Sequence, residues 1–187
     1  MAPISTILIV DDEPRLCLSI EALLVREGYH TQSVHSGGEA IALIKQQRFD
    51  LVLLDLFIQD MEGYQVLDVI NRLRPEVQVI MMTGMASVDS ARVALRKGAY
   101  DYLRKPFEHQ ALLKTISNAL EHRRLRAQHK RAEQALRSSE EKYRSVFHNT
   151  GTATVIVEAD LTISEANAKA ADLMGKEQSA VEGGITC

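Results

Sequence analysis

Three short stretches, "TILIV" (6–10), "LVLLD" (51–55) and "VQVIM" (77–81), are nearly continuous in apolar residues and too short to be buried helices. A strand that is apolar on both of its sides must be covered on both sides, which is the situation of a parallel sheet sandwiched between helices. Two weaker β-type runs, "HTQSV" (30–34) and "AYDYL" (99–103), complete a set of five. Roughly 15 to 20 residues of amphipathic character separate successive runs, enough for crossover helices. The expected class is therefore α/β, with a doubly wound five-stranded parallel sheet.

Local punctuation agrees with that pattern. Pro14 suits the first turn of a helix, Gly28 its end, "SGGE" (36–39) the opening of a second helix, and Gly98 the end of a fourth. A fifth helix should start near Glu108, and neither Pro nor Gly interrupts it before "HNTG" (148–151). At 1.5 Å per residue such a helix would run roughly 55 Å, more than a compact domain can use on one face. Three segments follow: a first domain over residues 1–122, a helical linker over 123–147, and a third segment over 148–187.

The 187 residues are 45% hydrophobic and 25% charged, with a net charge of -3, so nothing in the global balance draws the chain to nucleic acid or anionic lipid. No run reaches the 18 or so apolar residues that cross a bilayer, and "TILIV" is too short for a secretion signal. Cys17 and Cys187 have neither disulfide nor zinc spacing. A reducing cytoplasm is the expected location, with no membrane association.

In an open α/β sheet the reactive crevice lies beyond the carboxyl ends of the strands. Strand one ends in Asp11, Asp12 and Glu13, and strand three ends in Asp55; strand four is followed by Thr83 and Gly84, strand five by Lys105 and Pro106. Carboxylates about 5 Å apart repel by roughly 3 kcal/mol at an effective dielectric of 20, so this cluster calls for a cation. Mg²⁺ takes oxygen ligands and is commonly held by one or two carboxylates. Beside such an ion a carboxylate can attack a phosphoryl group and become an aspartyl phosphate. Asp55 stands alone at the centre of the sheet and is the expected nucleophile, with Asp11 and Asp12 toward the metal. Lys105 can pair with the phosphoryl oxygens and Thr83 can hydrogen-bond them. Taken singly, an Asp here would more often cap a helix and Thr83 would more often fill a turn. Met81, Met82 and Met85 read as core and loop packing.

"ILIVDDE" (7–13), "DLVLLDL" (50–56), "VIMMTG" (79–84) and "GAYDYLRKPF" (98–107), in this order, resemble the receiver domain of two-component response regulators over roughly residues 4–122. The resemblance implies a flavodoxin-like sheet in strand order 2-1-3-4-5 and a phosphoacceptor at Asp55, with the phosphoryl group coming from a partner histidine kinase or phosphotransfer protein. It implies that Asp12, Asp55 and the backbone carbonyl of Phe57 ligate Mg²⁺, with Asp11 assisting through water. It further implies that Tyr102 follows Thr83 as a switch, a population shift between two packings of one face. Such a domain catalyses its own phosphorylation and dephosphorylation without being an enzyme in the usual sense. The family often has proline four residues after the phosphoacceptor, where this chain has Gln59.

Along the fifth helix, positions 118, 122, 125, 129, 132, 136, 139, 143 and 146 form a weak heptad series in which Leu125, Ala132, Leu136, Tyr143 and Val146 are apolar. It allows a homodimer through residues 118–147, against the alternative of a solvated linker. The basic run "HRRLRAQHKR" (122–131) lacks a recognition-helix pattern, so nucleic-acid contact is not expected within this chain. "YRSVF", "TATVIVEAD", "LTISEAN" and "AADLMGK" resemble the opening half of a PAS sensory domain, with Leu161 at a turn position where that family usually has glycine. The later strands of that fold are missing, so the segment is expected to belong to a longer signalling protein.

Two other classes compete. A Mg²⁺-dependent phosphohydrolase could pass through the same aspartyl phosphate, but such enzymes usually carry an Asp-x-Asp run after strand one, which "VDDEP" lacks. A chain acting chiefly as a dimerisation or sensory module would work through residues 118–187. A dinucleotide-binding fold is set aside because no glycine-rich phosphate loop follows strand one.

Overall fold

The computed structural model describes residues 4–84 and 88–175; Met85, and residues 176–187 of the third segment, lie outside the described residues. The chain divides into two compact units, Met1–Ala127 and Gln128–Cys187.

In the first unit, strands β1 (Thr6–Val10), β2 (His30–Val34), β3 (Leu51–Asp55), β4 (Gln78–Thr83) and β5 (Asp101–Arg104) alternate with helices α1 (Pro14–Arg26), α2 (Gly37–Gln46), α3 (Gly63–Leu73) and α4 (Val88–Arg96). Helix α5 (His109–Asn149) follows as one 41-residue element. The sheet is wholly parallel in the order β2-β1-β3-β4-β5, as expected for the doubly wound class. β3 and β4 are buried along their whole length, whereas the edge strand β2 is only partly covered, which is why its sequence is the least apolar.

Continuous apolar strands conceal a period of two. Leu8, Val10, Val52, Leu54, Val79 and Met81 enter the core under α2 and α3 with Val66, Leu67 and Ile70. Ile7, Ile9, Leu51, Leu53, Ile80 and Met82 enter the opposite core under α1 and α5 with Cys17, Ile20, Leu24, Leu112, Ile116 and Ala119. Neighbouring residues of one strand thus belong to different cores, because successive side chains point to opposite faces. Full burial of each such side chain stabilises by about 1.5–3 kcal/mol.

The helix starts and stops follow the punctuation. Ser36 caps α2 through its hydroxyl, which accepts from the Glu39 amide at 3.2 Å, while the Glu39 carboxylate accepts from the amide of His35, the residue before the cap, at 3.1 Å. Gly28 and Gly98 end α1 and α4 with φ of 86° and 91°, a region open to glycine. Arg123 on α5 pairs with Asp50 at 2.7 Å, and Asp50 accepts the Thr6 amide at 2.8 Å, so the helix is tied to the amino ends of β1 and β3.

The second unit contains the end of α5, an antiparallel pair β6 (Val155–Val157) and β7 (Ile163–Ala166), and helix α6 (Ala168–Met174). Asn167 organises it. Its carboxamide oxygen accepts from the Thr154 and Ala170 amides, and its nitrogen donates to the Phe147 and Thr152 carbonyls, all within 3.0 Å. Leu161 closes the β6–β7 turn with φ of 68°, a conformation that costs a side chain with a Cβ about 1–2 kcal/mol. Leu161 is also 55% exposed, so little packing would be lost on its removal. Leu161→Gly is expected to stabilise this unit by about 1 kcal/mol, read as a rise in its urea midpoint. An unchanged or lower midpoint would show that the turn carries no such strain.

Candidate functional site

Because β1, β3, β4 and β5 run parallel, their carboxyl ends come out on one edge. Val10 is paired with Leu54, Asp55 with Met82, and Thr83 with Arg104, so the residues one step further on converge. The Lys105 amide then donates to the Thr83 carbonyl at 2.8 Å, extending the ladder by one residue to Lys105.

Asp11, Asp12, Asp55 and Lys105 meet there. Lys105 Nζ donates to Asp11 Oδ2 at 2.5 Å and to Asp55 Oδ2 at 2.8 Å. Asp11 is fully buried, Asp55 nearly so, and Asp12 half-buried. One carboxylate oxygen from each of the three acids lies within 4.8 Å of the others. Burial is the largest influence on the Asp55 carboxyl and raises it above the ordinary aspartate range; Lys105 pulls the other way, and Asp11 adds to the rise. Burial alone would depress the Lys105 ammonium, but its hydrogen bonds to the two acids and their charges outweigh that and raise it.

One ammonium faces three carboxylates, so the cluster has negative charge to spare. An all-oxygen donor set of this kind suits Mg²⁺ and not a soft metal. The residues present therefore fit the ion that the sequence calls for.

The remaining sequence-derived residues have distinct places. Thr83 is fully buried at the end of β4. Phe57 lies two residues past Asp55, its amide donating to Asp55 Oδ1 at 3.4 Å, with a half-exposed ring. Tyr102 stands apart from the acids on β5, packed against the core under α2 and α3; its hydroxyl is buried and has no hydrogen-bond partner among the described residues.

Several supporting residues escape a reading of the strand ends. The Asp11 carbonyl is approached by Cys17 Sγ at 3.4 Å and His35 Nδ1 at 3.0 Å, contacts from α1 and from the turn after β2. Burial pushes the Cys17 thiol up to about 12, which keeps it protonated beside the acids. Gly63 begins α3 where any Cβ would strike the Asp55 carbonyl oxygen, so only glycine lets that helix start against the Asp55 backbone. Asp60 accepts from the Gly37 and Gly38 amides at 2.8 and 2.9 Å, fastening the loop after β3 to α2. Such contacts carry no local signal in sequence; the glycine at position 63, eight residues after the acid, is the closest to one.

Residues 7–117 match the family described as response regulator receiver domain. Transcriptional regulatory protein ZraR of Salmonella typhimurium (strain LT2) is 40% identical over 118 residues, which are 63% of this chain and 27% of that protein. Nitrogen assimilation regulatory protein NtrX of Azorhizobium caulinodans is 38% identical over 122 residues, 64% of this chain and 27% of the relative. The chain thus spans about a quarter of the length of these curated relatives. Among solved structures, a response regulator receiver domain protein (CheY-like) from Methanospirillum hungatei JF-1 superposes with a TM-score of 0.64 at 35% identity, covering 66% of this chain and 98% of the other. The beryllofluoride-activated NtrC4 receiver domain dimer gives 0.61 at 39% identity, over 63% and 98%.

Proposed function

This chain belongs to the response regulator receiver domain family, and from that premise we propose that Asp55 accepts a phosphoryl group from a partner histidine kinase or phosphotransfer protein in the cytoplasm. The observation that carries the proposal is Lys105 bridging Asp11 and Asp55 at the lip of the sheet. An Asp55 carboxylate oxygen attacks phosphorus, the bond to the donor nitrogen breaks, and the donor imidazole leaves with that electron pair. Lys105, already held at 2.8 Å from Asp55, neutralises charge on the transferred group, and the Thr83 hydroxyl hydrogen-bonds it. Asp12, Asp55 and the Phe57 carbonyl would hold Mg²⁺, with Asp11 assisting through water. When bound, Mg²⁺ balances the carboxylates and the phosphoryl oxygens.

The buried hydroxyl of Tyr102, without a hydrogen-bond partner among the described residues, supports a role as the switch, since Tyr102 pairs with Met81 on β4, two positions before Thr83 on the same strand. Its consequence would be a new packing of α4, β5 and α5, passed through the linker at 123–147 to residues 148–187, which we read as a PAS-like sensory segment following a receiver at 1–122. Incubation with acetyl phosphate and Mg²⁺ should add one phosphate by mass, lost in mild base. Equal labelling of Asp55→Asn would refute the assignment.

A second copy of the chain is the partner that the linker favours. Leu125, Leu136 and Val146 recur at heptad spacing and are 53%, 62% and 72% exposed, an apolar series left open among the described residues. Sedimentation of the full chain should give a dimer, and Leu136→Glu should shift it toward monomer. A monomer at every concentration would leave these residues as a solvated linker.

A further inference from the structure

We infer that Asp60 is a positioning residue for the phosphoryl-transfer site: by tying the middle of the loop between β3 and α3 to the first turn of α2, it sets where the Phe57 carbonyl stands among the Mg²⁺ ligands. The inference rests on the receiver reading of Asp12, Asp55 and Phe57.

The loop spans residues 56–62 and has fixed ends. Its start continues the sheet, with the Leu56 amide donating to the Met82 carbonyl at 2.9 Å. It closes on itself where the Gly63 amide donates to the Leu56 carbonyl at 2.8 Å and Phe57 bridges to Glu62. Between those ends stands Gln59, which has none of the backbone restriction that a proline would supply there.

Asp60 supplies a restraint of another kind. Its two carboxylate oxygens each accept one amide, from Gly37 at 2.8 Å and Gly38 at 2.9 Å, and both donors are unsatisfied groups of the α2 amino terminus. These two bonds hold the Asp60 carboxyl below the ordinary aspartate range. The surface that receives the loop is shaped to match. A Cβ on Gly37 would lie 2.5 Å from Met61 Cγ and 2.9 Å from Val66 Cγ2, so the absence of a side chain there is what lets the loop come this close. Ile58 is buried in the same core as Ala40 and Ile44 of α2. Carboxylate, paired glycines and apolar anchor thus restrain one loop, which carries Phe57 three residues before Asp60.

Asp60 touches no reacting atom, so its effect should be confined to the metal. Amide shifts followed during titration with Mg²⁺ alone should give a dissociation constant about tenfold weaker for Asp60→Ala than for the native chain, the scale of loss for residues that orient a metal ligand. Asp60→Asn keeps a single acceptor and should fall between. At saturating Mg²⁺ the rate of labelling by acetyl phosphate should return to within about twofold of native, because the nucleophile and Lys105 are untouched. Unchanged Mg²⁺ affinity in Asp60→Ala, even with a lowered melting point, would overturn the inference and leave Asp60 as a helix cap. Equal Mg²⁺ binding by the native chain and Asp12→Asn would instead overturn the receiver reading of the metal site itself.

Discussion

Asp55→Asn is expected to abolish phosphate incorporation and, in metal-free buffer at pH 7, to melt above the native chain. The first effect follows from losing the attacking carboxylate. The second follows from the charge balance of the site, where Asp11, Asp12 and Asp55 cluster and the Lys105 ammonium is paired with Asp11 and Asp55. Like charges about 5 Å apart repel by roughly 3 kcal/mol at an effective dielectric of 20, and Lys105 cancels part of this, so a gain of about 1–2 kcal/mol is expected. Asp55 is raised on folding, chiefly by burial. A raised acid disfavours the folded state only where it would be ionised in the unfolded chain, above about 3.9. The native chain should therefore match the variant near pH 3.5 and fall progressively below it as pH climbs through the raised value, reaching a constant gap. Melting curves over that range measure it directly, and a variant less stable at neutral pH would contradict the account.

Lys105→Met should be the most damaging single change in metal-free buffer, costing about 3–5 kcal/mol by urea unfolding at pH 7. Asp11 is fully buried and would lose its 2.5 Å ammonium partner, and Asp55 would lose the same group at 2.8 Å. A carboxylate left in a dry site without a counter-charge forfeits its hydration with nothing in return. The lysine is raised on folding, so its contribution is complete below about 10.4 and disappears only as pH passes its own elevated value. At neutral pH the whole effect should be visible. Added Mg²⁺ should recover more stability in the variant than in the native chain, because the ion meets acids that no ammonium has neutralised. Combining Lys105→Met with Asp55→Asn should cost less than the sum of the two changes, the mark of directly interacting groups. Strict additivity, or no difference in the response to Mg²⁺, would show that Lys105 does not balance these acids.

Much of this site was legible because strand ends are local features. The apolar run before Asp55 could end only at the lip of a covered sheet, and the acids after Val10 had to emerge beside it once the strands were parallel neighbours. The helix caps were equally local: Ser36, Gly28 and Gly98 act within a few residues of themselves. Asp60 was not legible, since its two partners lie 23 and 22 residues away and nothing in "FIQDME" distinguishes a tether from a solvated acid. Nor was Arg123, whose basic neighbours mostly face water while it alone joins Asp50 and the Glu76 carbonyl.

The sequence by itself determined the alternation of strands and helices, the identities of the acids and of the lysine, and the uninterrupted run of α5. Hydrophobic period, chain punctuation and the directionality of parallel strands are written into consecutive residues. Only the tertiary structure decided that Lys105 spans Asp11 and Asp55 from 94 and 50 residues away, and that Asp60 fastens its loop to two glycine amides. Those outcomes depend on distances of a few tenths of an ångström between elements far apart in the chain. Packing against two cores fixes such distances, and no single segment encodes them.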